Sequence, residues 1–150
     1  MIFILLLLPF HFFEANCEVM FSVRSSYHKI SSAQQLEQFI QDLKGIACEE
    51  AQPYLASAIM QKAEYAFMPT SKLKYFNQGK KLLEKFIQAN PNNLEARYVR
   101  VLVQSKAPSI LGYKDNIKLD IEFIKSHINI ADLPVDFQEI ILFNVNNLVK

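Results

Sequence analysis

Arg97 and Arg100 are the residues whose type and spacing most resemble site chemistry. Three positions apart, they share one side of a helix, and Gln104 continues that side at i+4. Tyr113 lies nine residues further on, in a connector that could fold back towards them. Two guanidinium groups, an amide and a phenol suit an acidic ligand such as a peptide carboxylate or a sugar acid, because guanidinium groups bind carboxylates in a two-pronged geometry. The same arginines can equally be held by Glu95, Asp115 or Asp120, fixing the connector against the helices. Nothing else in the chain suggests a reaction. HExxH, CxxC, GxSxG and a phosphate-cradling glycine loop are all missing from the sequence. The three histidines, His11, His28 and His127, are scattered. Cys48, Glu49 and Glu50 are contiguous, and on a helix they would point in different directions rather than converge on a metal. The expectation is therefore a protein with no catalytic residues, no metal and no cofactor, with Arg97, Arg100, Gln104 and Tyr113 as the candidate ligand-binding set.

The elements that would position those residues are helices. The 150 residues suffice for one domain with a core, and 51% are hydrophobic. Sixteen Lys and Arg against fifteen Asp and Glu leave no basic stripe, which argues against nucleic acid as a partner. Only three glycines occur, and the Asn-Gly and Asp-Gly dipeptides of tight hairpins are missing. Ser32 with Gln35 predicts a helix start, followed by Leu36, Phe39, Ile40 and Leu43 on one face and Gly45 at the end. Pro53 opens a second helix, and Pro69 separates it from a third that runs to about Ala89. Asn92 with Glu95 predicts the cap of a fourth, which Pro108 ends. Ile117, Ile121, Ile124 and Ile128 mark a fifth helix, and Pro134 starts a sixth carrying Ile140, Ile141, Val145 and Leu148. The connector 107–116, with Ile110, Leu111 and Tyr113, is expected to pack down. About six helices joined by short connections predict an all-α fold of three antiparallel hairpins. Prolines 53 and 91 are 38 residues apart and prolines 69 and 108 are 39 apart, a period that stacked helix pairs show.

The N-terminus carries an address. Ile2 to Phe13 is a continuous apolar run, too short to span a bilayer and interrupted by Pro9. It fits the apolar centre of a secretory signal peptide, and Ala15 and Cys17 suit a cut between Cys17 and Glu18. The expected organisation is a signal peptide over 1–17, an arm over 18–30 with an extended piece at Val19–Val23, and a helical domain over 31–150. The location that follows is the periplasm or cell envelope, with the membrane met only through the cleaved signal. Glu14 argues against a lipid anchor at Cys17. Cleavage would leave Cys48 as a lone buried residue, whereas a Cys17–Cys48 disulfide requires the N-terminus to be kept.

The segment GKKLLEKFIQANPNNLEARY, residues 79–98, resembles the junction between two tetratricopeptide-type repeats. Gly79 stands where the two helices of a repeat press together, Leu83 follows four residues on, and Pro91 makes the turn before Leu94, Glu95, Ala96 and Tyr98. Phe86 departs from the small alanine of the pattern. The segments AFMPTSKLKYFNQGKKLLEKFI, NPNNLEARYVR and LGYKDNI also look similar to small secreted proteins of Bacteroidetes-type bacteria. These resemblances imply a short tetratricopeptide-like stack in the cell envelope and no known activity. With no nucleophile, base or metal constellation in the chain, the expected role is a binding or scaffold module for a protein or peptide partner. Two alternatives stand beside it: an acidic-ligand or enzymatic role around Arg97 and Arg100, and a homodimer formed through the last helix.

Overall fold

The computed structural model describes residues 17–148. The apolar run at Ile2–Phe13, including His11, lies outside the described residues. Within them the chain is all-helical. Seven α-helices follow in order: α1 (Met20–Tyr27), α2 (Ala33–Lys44), α3 (Gln52–Tyr65), α4 (Pro69–Ala89), α5 (Leu94–Lys106), α6 (Ile117–His127) and α7 (Val135–Asn147). Short 3-10 turns at Glu49–Ala51, Ser109–Leu111 and Ile128–Ile130 join some of them.

Local chemistry accounts for most of the boundaries. The Ser32 hydroxyl accepts from the Gln35 N–H at 3.2 Å, as a helix cap should. The Gln35 amide oxygen reaches back to the Ser31 N–H at 2.9 Å, one residue earlier than a capping box would place it. Pro53 and Pro69 occupy the first turns of α3 and α4, where a missing N–H costs nothing. The cap of α5 is Asn93, not Asn92: its side chain accepts from the Ala96 N–H at 2.8 Å. With Asn93 as the cap, Glu95 takes no part in it, and its side chain is buried. In the connector, Gly112 has φ +56°, a left-handed value that closes the 3-10 turn before it. Tyr113 packs down as expected, but Ile110 points into solvent with 94% of its surface exposed.

α3 and α4 form one antiparallel hairpin: Lys62 lies over Tyr75, and Ala56 and Met60 lie against Gly79. A Cβ at Gly79 would sit 2.6 Å from the Met60 Cγ and 2.8 Å from the Met60 N, so glycine is what lets these backbones approach. α5 and α6 form a second hairpin, with Arg97 over Phe123, Arg100 on Asp120 and Gln104 beside Asn116. α2 packs on α3 at one end of the array, and α7 packs on α5 at the other.

α5 is the central helix. Ala96, Val99 and Val103 face the core shared with α1 to α4, while Leu94, Tyr98 and Val101 face a second core shared with α6 and α7. A helix enclosed on two sides has little solvent-facing circumference left, so its polar residues must find partners inside the protein.

Residues 20–27 are helical, which corrects the expected extended piece. Met20, Val23 and Tyr27 are buried at i, i+3 and i+7. The apolar Phe21 between them is 73% exposed and masks that period in the sequence. Eight residues are too few for a helix to persist alone. α1 is held by what it touches: the Tyr27 hydroxyl meets the Ser57 hydroxyl at 2.5 Å, and its ring stands edge-on to Tyr54. A disulfide from Cys17 to Cys48 ties its start to the residue before the first 3-10 turn, with 5.8 Å between the two Cα atoms. A cut between Cys17 and Glu18 would discard half of that bridge, so the cut and the bridge exclude one another.

Candidate functional site

Of the four residues singled out from the sequence, the fold gathers three around two carboxylates. Asp120 of α6 is fully buried. One of its oxygens accepts from the Arg100 Nε at 2.6 Å, and the other accepts from Arg100 at 2.8 Å and Arg97 at 2.7 Å. Arg100 also donates to Glu84 of α4 at 2.8 Å, and the Tyr113 hydroxyl donates to the other Glu84 oxygen. Arg97 also donates from its Nε to the Pro91 carbonyl at 2.9 Å and lies over the Phe123 ring. Two guanidinium groups thus face two carboxylates, and the cluster is neutral. Burial pulls the Arg100 pKa down, but Asp120 and Glu84 outweigh it and hold the group charged. Burial, with Glu84 beside it, pushes the Tyr113 phenol well up.

This arrangement takes up all three Arg100 nitrogens and two of the three Arg97 nitrogens, which leaves few donors for an acidic ligand. The arginines clamp α4, α5, α6 and the connector together. Asp120 was among the three acids the sequence offered, Glu84 was not, and Glu95 is engaged elsewhere. Gln104 stands apart, one turn along α5. It is fully buried, its Nε2 donates to the Asn116 side chain at 3.3 Å, and its Oε1 has no partner among the described residues.

A second buried ionic group escaped sequence reasoning. Arg24 of α1 donates twice to Glu95, both bonds 2.8 Å, and the Tyr54 hydroxyl donates to the same carboxylate at 2.5 Å. The Arg24 guanidinium also covers the Phe137 ring of α7 at 4.8 Å. His28, at the end of α1, meets the Tyr98 hydroxyl at 3.4 Å, and Asn144 of α7 donates to that hydroxyl at 2.6 Å. Burial, reinforced by Lys106, lowers the His28 pKa. Through these side chains α1 lies along one face shared by α3, α5 and α7.

The same face continues into an open groove of about 750 Å³ where α1 ends. Tyr27, His28 and Ile30 form its near wall. Met60, Gln61 and Glu64 come from α3, Leu73 and Phe76 from α4, Lys106 from α5, and Asn144, Asn147 and Leu148 from the end of α7. Leu73 and Tyr65 on its wall are about half exposed, and Ile110 is almost fully exposed. No sequence signal marked this groove, because its walls are the solvent edges of faces that also build the core.

Cys48 and Glu50 do converge, contrary to the helical reading of that tripeptide. Cys48 is extended, with φ −123° and ψ 113°, and the 3-10 turn then brings the Glu50 carboxylate within 3.3 Å of its sulfur and 2.9 Å of the Cys17 sulfur.

No family model, curated protein or solved structure matches this chain. The class is therefore defined by the fold alone: an all-helical protein of packed hairpins with a groove on one face.

Proposed function

We propose that this protein is a binding module of the tetratricopeptide-like kind, which holds an apolar, helix-forming peptide segment of a partner protein in the groove beside α1. The observation that carries this is the continuity between that groove and the seat of α1. One helix with apolar anchors at i, i+3 and i+7 already lies on the face of α3, α5 and α7, and the empty part of the face has the same mixture of apolar walls and polar edges. The pairing of α3 with α4 and α5 with α6, with α5 central, supports the repeat-like reading. The buried partners of Arg97 and Arg100 count against the acidic-ligand alternative. We further propose that the protein acts in the cell envelope. The Ile2–Phe13 run and a disulfide, which persists in oxidising compartments, support this reading, provided processing keeps Cys17.

Selection of displayed peptides on the full chain tests the groove. Enriched sequences should carry apolar residues at helical spacing. Leu73→Asp and Ile110→Asp, both at exposed positions, should weaken binding at least tenfold while helicity is unchanged. Equal binding by both variants refutes the groove. A homodimer through α7 is the second reading, favoured by exposed Val135, Ile140 and Phe143. Asp136 and Glu139 interrupt that side, so the groove is preferred. Sedimentation equilibrium of Phe143→Glu against the parent chain separates the two: a dimer that the substitution dissolves supports α7.

A further inference from the structure

We propose that Cys17, Cys48 and Glu50 form a redox-gated divalent metal site, with zinc as the fitting ion and the disulfide as its oxidised, metal-free form. The inference stands apart from the groove and uses none of its residues.

Three potential ligand atoms, one from each residue, lie within 4.8 Å of one another. Ligands at about 2.0–2.3 Å from a tetrahedral zinc ion lie about 3.3–3.8 Å apart, so the bonded sulfurs must separate on reduction before they can hold one; two thiolates with a carboxylate then suit a borderline-soft ion. The contacts of Glu50 are the telling feature. Its carboxylate oxygen is 2.9 Å from one sulfur and 3.3 Å from the other. A disulfide sulfur carries no hydrogen, so in the oxidised state three electron-rich atoms face each other with no donor between them. Among the described residues Glu50 makes no salt bridge that would hold it there. A cation in their midst, or protons on reduced thiols, removes the conflict. Cys48 is buried and fixed by the backbone before the 3-10 turn, Cys17 is half-buried, and Glu50 is exposed, which leaves an open side for the ion and a water as fourth ligand.

The chemistry balances with a dithiol reductant. The reductant gives two electrons and two protons to the Cys17–Cys48 bond and becomes a disulfide itself. The two thiols then each lose a proton as the metal binds. The metal replaces the covalent tie between the start of α1 and the 3-10 turn, so α1 stays seated in either redox state.

The test uses the full chain reduced with a phosphine and titrated with cadmium as a spectroscopic stand-in, followed by zinc competition. The expected result is a sulfur-to-cadmium absorption band saturating at one metal per chain, with about two protons released. Glu50→Gln keeps both cysteines and alters an exposed position, so its fold is not at risk, and it should bind at least tenfold more weakly. Cys17→Ser and Cys48→Ser should abolish the band, with helicity followed in parallel. Zinc should also slow reoxidation of the reduced chain by at least tenfold and protect α1 from proteolysis. Saturation at one metal per two chains, a Glu50→Gln affinity equal to the parent's, or unchanged reoxidation overturns the proposal. A mature protein whose mass begins at Glu18 overturns it as well.

Discussion

Replacing Asp120 by alanine isolates the energetics of the arginine cluster. The Asp120 side chain is fully buried and takes three hydrogen bonds from two arginines. Its removal takes the cluster from neutral to a net single positive charge. Arg97 is the less damaged partner: its side chain is 19% exposed and keeps the Pro91 carbonyl. Arg100 is 6% exposed and is left with Glu84, whose side chain is 27% exposed and attracts it through partly solvated surroundings. Breaking a buried ion pair costs about 3–5 kcal/mol, and the surviving Glu84 contact puts the expectation at about 3. With a urea dependence of about 2 kcal/mol per molar, the midpoint should fall by about 1.5 M, read from the helical circular dichroism signal. A fall below about 0.5 M would refute the reasoning, because about 1 kcal/mol is what a solvated surface pair delivers. Pairing the change with Arg100→Met, as Asp120→Leu/Arg100→Met, should recover most of the loss, since the damage comes from an unpaired buried charge rather than from lost attraction.

Other consequences follow from particular contacts. Gly79→Ala should destabilise the chain by about 1–3 kcal/mol, although alanine favours helices by about 1 kcal/mol, because its Cβ enters the space of Met60 and the Ala56 carbonyl; a thermal melt that moves upward would contradict the close approach of α3 and α4. Removing the disulfide by a double Cys17→Ser/Cys48→Ser change should cost about 3–4 kcal/mol for a loop closed over a sequence separation of 31; the reference is the oxidised chain, and the difference should vanish when both are measured in reductant without metal. His28, lowered by burial and by Lys106, stays neutral in the folded chain, while the unfolded chain regains its ordinary value of 6.5. Its stabilisation is thus present above pH 6.5 and lost as pH falls through the lower folded value, and His28→Gln should flatten the urea midpoint against pH in that window. At the alkaline end, burial raises Tyr27, Tyr54, Tyr98 and Tyr113 above 10, so stability should fall once the pH passes 10 and tyrosinate absorbance should lag until the chain unfolds.

What the sequence determined by itself is whatever short-range chemistry controls. Prolines at first turns, the Ser32 cap and the isoleucine spacing of α6 act over three or four residues, and each lies where the pattern put it. Gly79 was legible through the resemblance to a repeat junction rather than through local chemistry, since what it meets is Ala56 and Met60 of α3. The all-helical class follows from these signals together. The tertiary structure decided what depends on distance along the chain. Asp120 is 20 residues from Arg100 and Glu84 is 16, and several other acids were equally available by composition. Which one pairs depends on the angle at which α4 and α6 meet α5. The inward turn of Glu95 is held by Arg24 and Tyr54, 71 and 41 residues away, which no local pattern could name. α1 had the right period, but eight residues fold as a helix only against the faces of α3, α5 and α7 and the tie to Cys48. The groove and the meeting of Cys17, Cys48 and Glu50 are products of packing alone, since no local pattern brings position 17 to position 50.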